Sequence, residues 1–383
     1  MKKVAYISSP HFADCDVPLL HHLQQTTHLI YILRLNNANK RMTLCRVPQI
    51  KRQGGVFPAS EYEGLERIAQ YVNSGNTYIL NMPGNKDLSP ANLMAIVRLL
   101  LFLMRQKVDV IHLTWPLRYG EFLAYLLHRR MILTLHDPFT HSSELHWHNR
   151  LHRWAAFRFI KRFILLNRSQ RDEFISYYKM QKAHVYDSRL SIFTHLHDTQ
   201  PVLPQLTDYV LFFGSISSHK GVEYLCQAMQ MIHEQYPAAH LVVAGSGKMY
   251  FDIEPYVQQG IVTLVNHYLT DEELAGYIHQ ARFVVCPYTD ATQSGVVMSA
   301  FALATPVIAT NVGGLPEMVA DGRHGLIVPP KDAEALAEAI KRLLSDELLL
   351  KQMSDNIKAD YLAGERSWEH IAQEITNIYE KEF

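Results

Sequence analysis

The stretch from Ala281 to Val328 constrains this chain more than any other. Phe283-Val284-Val285-Cys286 is a short apolar run stopped by Pro287, which reads as a buried strand. Thr292-Gln293-Ser294-Gly295 follows, then Val296 to Leu303 without glycine or proline, so a helix is entered through a small polar first turn. Ser294 suits the N-cap, and Gly295 lets a ligand approach the backbone. Pro306 to Ala309 is the next strand, Gly313 to Glu317 turns into another helix, and Gly325 to Val328 closes the unit. Strand, helix, strand, turn, helix and strand, with glycines at strand ends, is an arrangement that aims unpaired N–H groups and a helix dipole at an anion.

The same alternation runs through the rest. Val4 to Ser8 is a strand, followed by a polar loop over Ser9 to Asp16, a helix over Pro18 to Gln25 and a strand over Leu29 to Leu33. Residues 41–85 show weak periodicity. Pro90 to Gln106 is a helix capped by Ser89, and Val108 to Leu113 and Met131 to Leu135 are strands. Strands alternating with helices predict parallel, doubly wound sheets. The pattern breaks into polar residues and prolines between Asp187 and Gln205, a linker, and resumes at Tyr209 to Gly214. That strand ends on glycine, and Lys220-Gly221 opens a helix six residues on, the ingredients of a diphosphate site. Gly245-Ser246-Gly247-Lys248 lacks P-loop spacing and gives no ATPase signal.

The 383 residues hold 37 basic and 37 acidic side chains, so net charge selects no partner, and their length allows two ordinary domains. Cys15, Cys45, Cys226 and Cys286 are widely spaced, which fits a reducing compartment and no zinc framework. Met1 to Ile7 is too short an apolar run for a signal peptide, and Leu99 to Met104 is too short to span a bilayer. A cytoplasmic location is expected. From Arg98 to Arg171 arginine and lysine outnumber the four acids, Asp109, Glu121, Asp137 and Glu144, about threefold. Within it, Arg150, Trp154 and Arg158 share a helical stripe, with Arg153, Phe157 and Lys161 close by. Such a helix reads either as a solvated face or as a contact with the inner surface of the cytoplasmic membrane. His146, His148 and His152 lack the glutamate of a zinc-protease helix and are crowded by arginine, so no metal site is read there. No nucleic-acid-binding module is visible.

Ala300-Phe301-Ala302, Thr305 to Thr310, Val312-Gly313-Gly314-Leu315-Pro316-Glu317 and Asp321-Gly322 to Val328, in this order, resemble the nucleotide-sugar donor site of family-4 retaining glycosyltransferases. The resemblance implies the α/β GT-B fold, two Rossmann-like doubly wound parallel-sheet domains facing a cleft. The N-terminal acceptor domain would cover residues 1–200 with the last helix, 366–383, crossing back, and the donor domain 206–365. On that pattern Gly214, Ser215, Lys220, Gly245, Tyr268, Thr292, Gln293, Ser294, Gly295, Val296 and Ser299 would bind the nucleoside diphosphate sugar. His136, at a strand's carboxyl end, would contact the transferred sugar, with Asp137 orienting its ring; the plain alternative is a histidine satisfied by backbone. Asp14 and Asp16 would receive acceptor hydroxyls, or serve as an N-cap and a solvated turn.

Three positions depart from the family. Ser215 stands where an arginine is usual, and Ala291 and Ser299 where two glutamates are usual, with Thr292-Gln293-Ser294-Gly295 between them resembling a subgroup of bacterial polysaccharide transferases. The implied activity is a retaining hexosyl transfer from a nucleoside diphosphate sugar, such as a UDP-sugar, to a saccharide or lipid-linked acceptor in cell-surface polysaccharide synthesis. No cofactor or metal is called for. The rivals are a catalytically degenerate protein that binds a nucleotide sugar or a partner transferase without turnover, and an epimerase or phosphorylase on the same fold.

Overall fold

The computed structural model describes residues 1–139 and 147–383, and for Tyr119, Trp147, His148 and Asn149 the backbone alone. The chain divides into two compact units, residues 1–190 with 368–383, and residues 191–367. The division falls at Leu190, inside the predicted linker and ten residues before the predicted domain end. The last helix, Trp368–Glu382, belongs to the first unit and packs on the helix Ala13–Thr26.

The first unit is built on β1 (Lys3–Ser8), β2 (His28–Leu35), β3 (Gly55–Pro58), β4 (Thr77–Asn81), β5 (Val110–Leu113), β6 (Met131–Leu135), β7 (Phe163–Leu165) and β8 (Val185–Asp187). They lie in the order β3-β4-β2-β1-β5-β6-β7-β8, parallel except for β3 on β4. The chain winds outward from β1 to β4, then returns and winds the other way from β5, so the topological switch lies between β1 and β5. One face of the sheet is covered by Ala13–Thr26 and Trp368–Glu382, the other by Pro90–Gln106, Tyr119–Arg130 and Trp147–Phe159.

Two sequence expectations need correction here. The first helix begins at Ala13, not Pro18, so Asp14 and Asp16 stand in its first turn rather than in a loop. Pro18 removes one N–H from the helix, yet the buried face of Ala13, Val17, Leu20 and Leu23 runs through it and outweighs the lost bond. The crossover from β5 to β6 is a 3-10 element, Tyr119–Arg130, which the sequence reading does not contain.

The second unit holds β9 (Tyr209–Phe213), β10 (Leu241–Gly245), β11 (Val262–Asn266), β12 (Ala281–Cys286), β13 (Val307–Thr310) and β14 (Gly325–Val328). The order is β11-β10-β9-β12-β13-β14, parallel throughout. Both faces are covered, which is why its strands read as nearly continuous apolar runs. The switch lies between β9 and β12, the two strands whose carboxyl ends the sequence singles out.

Candidate functional site

At the carboxyl ends of β9 and β12 the chain brings four loops together. Gly214 follows β9 and its N–H donates to the Ala244 carbonyl; a Cβ on Gly245 would stand 1.9 Å from the Gly214 carbonyl oxygen, so these two strand ends touch. Residues 218–220 make one 3-10 turn, and Gly221, at φ +65°, redirects the chain into the helix Val222–Ile232. A Cβ on Gly221 would lie 2.0 Å from the Pro287 carbonyl oxygen just past β12, and the Thr289 N–H donates to the His219 carbonyl. The lysine turn is therefore pinned against the end of β12.

Lys220 stands on Tyr288. Its Nζ lies 3.7 Å from the ring centroid, and Tyr288 is fully buried with its hydroxyl within 3.3 Å of Ser294 Oγ. Burial holds the Lys220 pKa below its ordinary value, with Cys286 pulling the other way. An anion arriving beside the ammonium would restore it. Tyr288 is the residue that sequence reasoning misses. It follows a strand-ending proline, and nothing in its spacing announces a cationic neighbour 68 positions away.

Ser294 caps the helix Gly295–Ala302, its Oγ accepting from the Val297 N–H at 3.4 Å while its carbonyl accepts from Met298. The helix geometry leaves the N–H groups of Gly295 and Val296 for an outside acceptor, at the positive end of the helix dipole. The Val296 side chain reaches the Gly214 turn. Gly214, Ser215, Lys220, Ser294, Gly295 and Val296 thus gather around one strand-end crevice, the place where open parallel sheets bind ligands. Thr292 and Gln293 lie part-buried on the loop into that helix, and the Thr292 carbonyl accepts from the Gly314 N–H. Tyr268, 80% exposed, lies just past β11 on the same edge of the sheet. Ser299 is buried and its hydroxyl donates to the Gly295 carbonyl at 2.9 Å, so its proton is already committed.

The first unit has its own crevice, a cavity of about 390 Å³ at the β1/β5 switch. Ser9, Arg34, Asn39, Trp115, Arg118 and Glu121 line it. Arg34 Nε pairs with Glu121, whose other oxygen accepts from the Arg118 N–H at 2.7 Å. Neither Asp14 nor Asp16 is among its lining residues, and Asp16 corrects the sequence reading outright. Only 3% exposed, it accepts from the Tyr6 hydroxyl at 2.8 Å, and burial raises its carboxyl to about 7. A carboxylate in a helix's first turn looks solvated on paper; here that turn faces the sheet. His136 follows β6, stacked on Phe12 with centroids 4.4 Å apart, and Phe12 stacks in turn on Trp115. Burial lowers the His136 pKa to about 4, against a smaller upward pull from Asp137, so the ring is neutral near pH 7.

Among the described residues no three His, Cys, Asp or Glu side chains are grouped to hold a metal ion. The side chains of His146 and His148 lie outside the described residues.

Residues 207–346 match the family described as glycosyl transferases group 1, and residues 56–186 match that described as glycosyltransferase family 4. Sucrose-phosphate synthase from Thermosynechococcus elongatus superposes with a TM-score of 0.65 at 19% identity, covering 100% of this chain and 99% of its own. Anabaena HepE, solved in complex with UDP, gives 0.67 at 16% identity over 99% and 100%. The chain has the GT-B fold, and a stretch of each unit matches a glycosyltransferase family model. An uncharacterized glycosyltransferase of Methanocaldococcus jannaschii is 34% identical over 177 residues, 44% of this chain and 44% of that protein. The chain spans under half the length of the curated relatives it matches. In the GT-B frame the Lys220 crevice falls within the group 1 match, and His136 and the cavity beside Arg34 fall in the other unit.

Proposed function

We propose that the chain is a retaining glycosyltransferase that moves a sugar from a nucleoside diphosphate sugar to a hydroxyl of a saccharide or lipid-linked acceptor, in cell-surface polysaccharide synthesis. One observation carries the reading: the Lys220 ammonium, 3.7 Å above the buried Tyr288 ring, beside the open N-terminus of Gly295–Ala302 at the β9/β12 switch. A diphosphate there meets one ammonium, two backbone N–H groups and a helix dipole, all fixed before it arrives. HepE, which shares the fold, has been solved with UDP-glucose.

The chemistry follows from that placement. As the sugar–phosphate bond breaks, negative charge grows on the leaving diphosphate, and fixed donors stabilise it without reorganisation. The departing phosphate oxygen takes the proton of the acceptor hydroxyl attacking from the same face, so configuration is retained. Lys220 and the helix N-terminus supply the positive charge that metal-dependent transferases take from a divalent cation. The neutral His136 ring offers a hydrogen bond to a sugar hydroxyl, and the cavity beside Arg34, Asn39 and Arg118 is the candidate acceptor site.

The second reading, a nucleotide-sugar binder without turnover, is favoured by Ser215, Ala291 and Ser299 standing where the family has an arginine and two glutamates. Incubation with radiolabelled UDP- and GDP-sugars separates the two. Slow release of free sugar, lost on the order of 10²–10³-fold in Lys220→Ala with folding intact, supports the enzyme. Tight nucleotide binding without sugar release supports the binder, and unaltered turnover in Lys220→Ala would remove the assigned site.

A further inference from the structure

The outer surface of the first unit's Pro90–Gln106 layer carries large apolar side chains that remain exposed among the described residues. On Pro90–Gln106, Met94, Val97, Leu101 and Met104 are exposed and recur at i, i+3, i+7 and i+10, one stripe. Leu123 and Leu126 continue it on Tyr119–Arg130, and Trp154 and Phe159 on Trp147–Phe159. The three elements share one core on one sheet face, and Phe159 stacks on Tyr125 with centroids 5.2 Å apart. Stripe and neighbours therefore form one patch.

Each of these elements ends at the same edge of the sheet, and each ends in cations. Arg105 and Lys107 precede β5, Arg129 and Arg130 precede β6, and Arg158 and Lys161 precede β7; all six are exposed. The ends are adjacent, since Arg130 donates to the Val108 carbonyl at 2.7 Å and Arg162 to the Arg129 carbonyl at 2.9 Å. Among the described residues from 90 to 162 the only exposed acid is Asp109, and its carboxylate accepts from the Lys3 N–H. The structure also trims the stripe read from sequence. Arg153 is buried and donates to the carbonyls of Asp137 and Pro138, and Phe157 lies in the core, so neither reaches the surface.

We propose that this face seats the protein on an anionic lipid bilayer, apolar side chains at the headgroup boundary and the row of cations against lipid phosphates. Charge selects this occupant. A second copy that aligned the two cationic edges would set like charges against each other, whereas an anionic bilayer neutralises the whole row. Among the described residues no helix is long and apolar enough to cross a membrane, and the proposed contact is a surface one. The inference stands apart from the transfer reaction and survives or falls without it.

Co-sedimentation of the full chain with vesicles tests it, using phosphatidylcholine alone and phosphatidylcholine with about 30% phosphatidylglycerol. Binding is expected to the anionic vesicles and to weaken with salt. Arg105→Glu combined with Arg158→Glu is expected to lower the affinity roughly thirtyfold or more, from about fivefold per lost charge. Leu126→Ser combined with Trp154→Ser is expected to lower it independently of salt. All four side chains are exposed, and an unchanged far-ultraviolet dichroism melt shows that the fold is kept. Equal binding to neutral and anionic vesicles, no binding to either, or a self-association that the Leu126/Trp154 variant dissolves would each overturn the proposal.

Discussion

Replacing Asp16 with asparagine isolates one buried charge in the first unit, and its effect on stability can be worked out in sign and size. The carboxyl lies under the sheet, 3% exposed, and burial raises it from 3.8 to about 7; hydrogen bonds from Tyr6 and Ser8 pull it back only in part. In the unfolded chain the proton leaves near 3.8, in the folded chain near 7. Between those values the folded state holds more protons, so stability falls as pH rises and levels off above about 7. At ~1.4 kcal/mol per pKa unit the ceiling is about 4 kcal/mol, and relaxation around the site reduces the observable to about 2–3 kcal/mol. Asparagine keeps an acceptor for the Tyr6 hydroxyl and carries no charge to bury. Asp16→Asn is therefore expected to match the native chain near pH 4 and to exceed it by about 2–3 kcal/mol near pH 8. All four tryptophans, Trp115, Trp147, Trp154 and Trp368, belong to this unit, so urea unfolding followed by tryptophan fluorescence reports on it selectively. A stability difference that does not grow between about pH 5 and pH 8, or a variant less stable at the higher pH, would refute the reasoning.

Three further outcomes follow from single contacts. Tyr379→Phe removes the hydroxyl that meets His112 Nδ1 in the core and leaves a buried ring nitrogen unpaired, so the same fluorescence assay should show a loss of about 1–3 kcal/mol. Gly221→Ala forces a Cβ against the Pro287 carbonyl at a positive φ, and should destabilise the second unit by about 2 kcal/mol or more in calorimetric melting while weakening nucleotide binding. Ser294→Ala loses the helix cap, for about 1 kcal/mol of stability, and should raise the dissociation constant for UDP in isothermal titration.

The second unit is legible in the sequence because its punctuation is local. Glycines and prolines stand within a residue or two of the strand ends, and Ser294 and Thr270 cap the helices they precede. The crevice proposed for the diphosphate draws on the same signals: Gly214, Lys220 and Gly295 lie at strand ends and helix starts that the pattern marks out. What escapes is whatever depends on distant partners. Tyr288 acquires its role from Lys220, and His112 its partner from Tyr379, 267 residues away. Residues 119–130 give no 3.6-residue signal because they wind as a 3-10 helix, and Leu123 and Leu126 of the exposed apolar patch are invisible without them. Arg34 lies one residue past the strand read from the sequence, and its pairing with Glu121 places it in the cavity wall.

A crystal structure with UDP bound tests the central claim most directly. The diphosphate is expected at the carboxyl ends of β9 and β12, within hydrogen-bond reach of Lys220 Nζ and of the Gly295 and Val296 N–H groups. A diphosphate held instead by Arg34 and Arg118 in the first unit, or by no contact with Lys220, would contradict it.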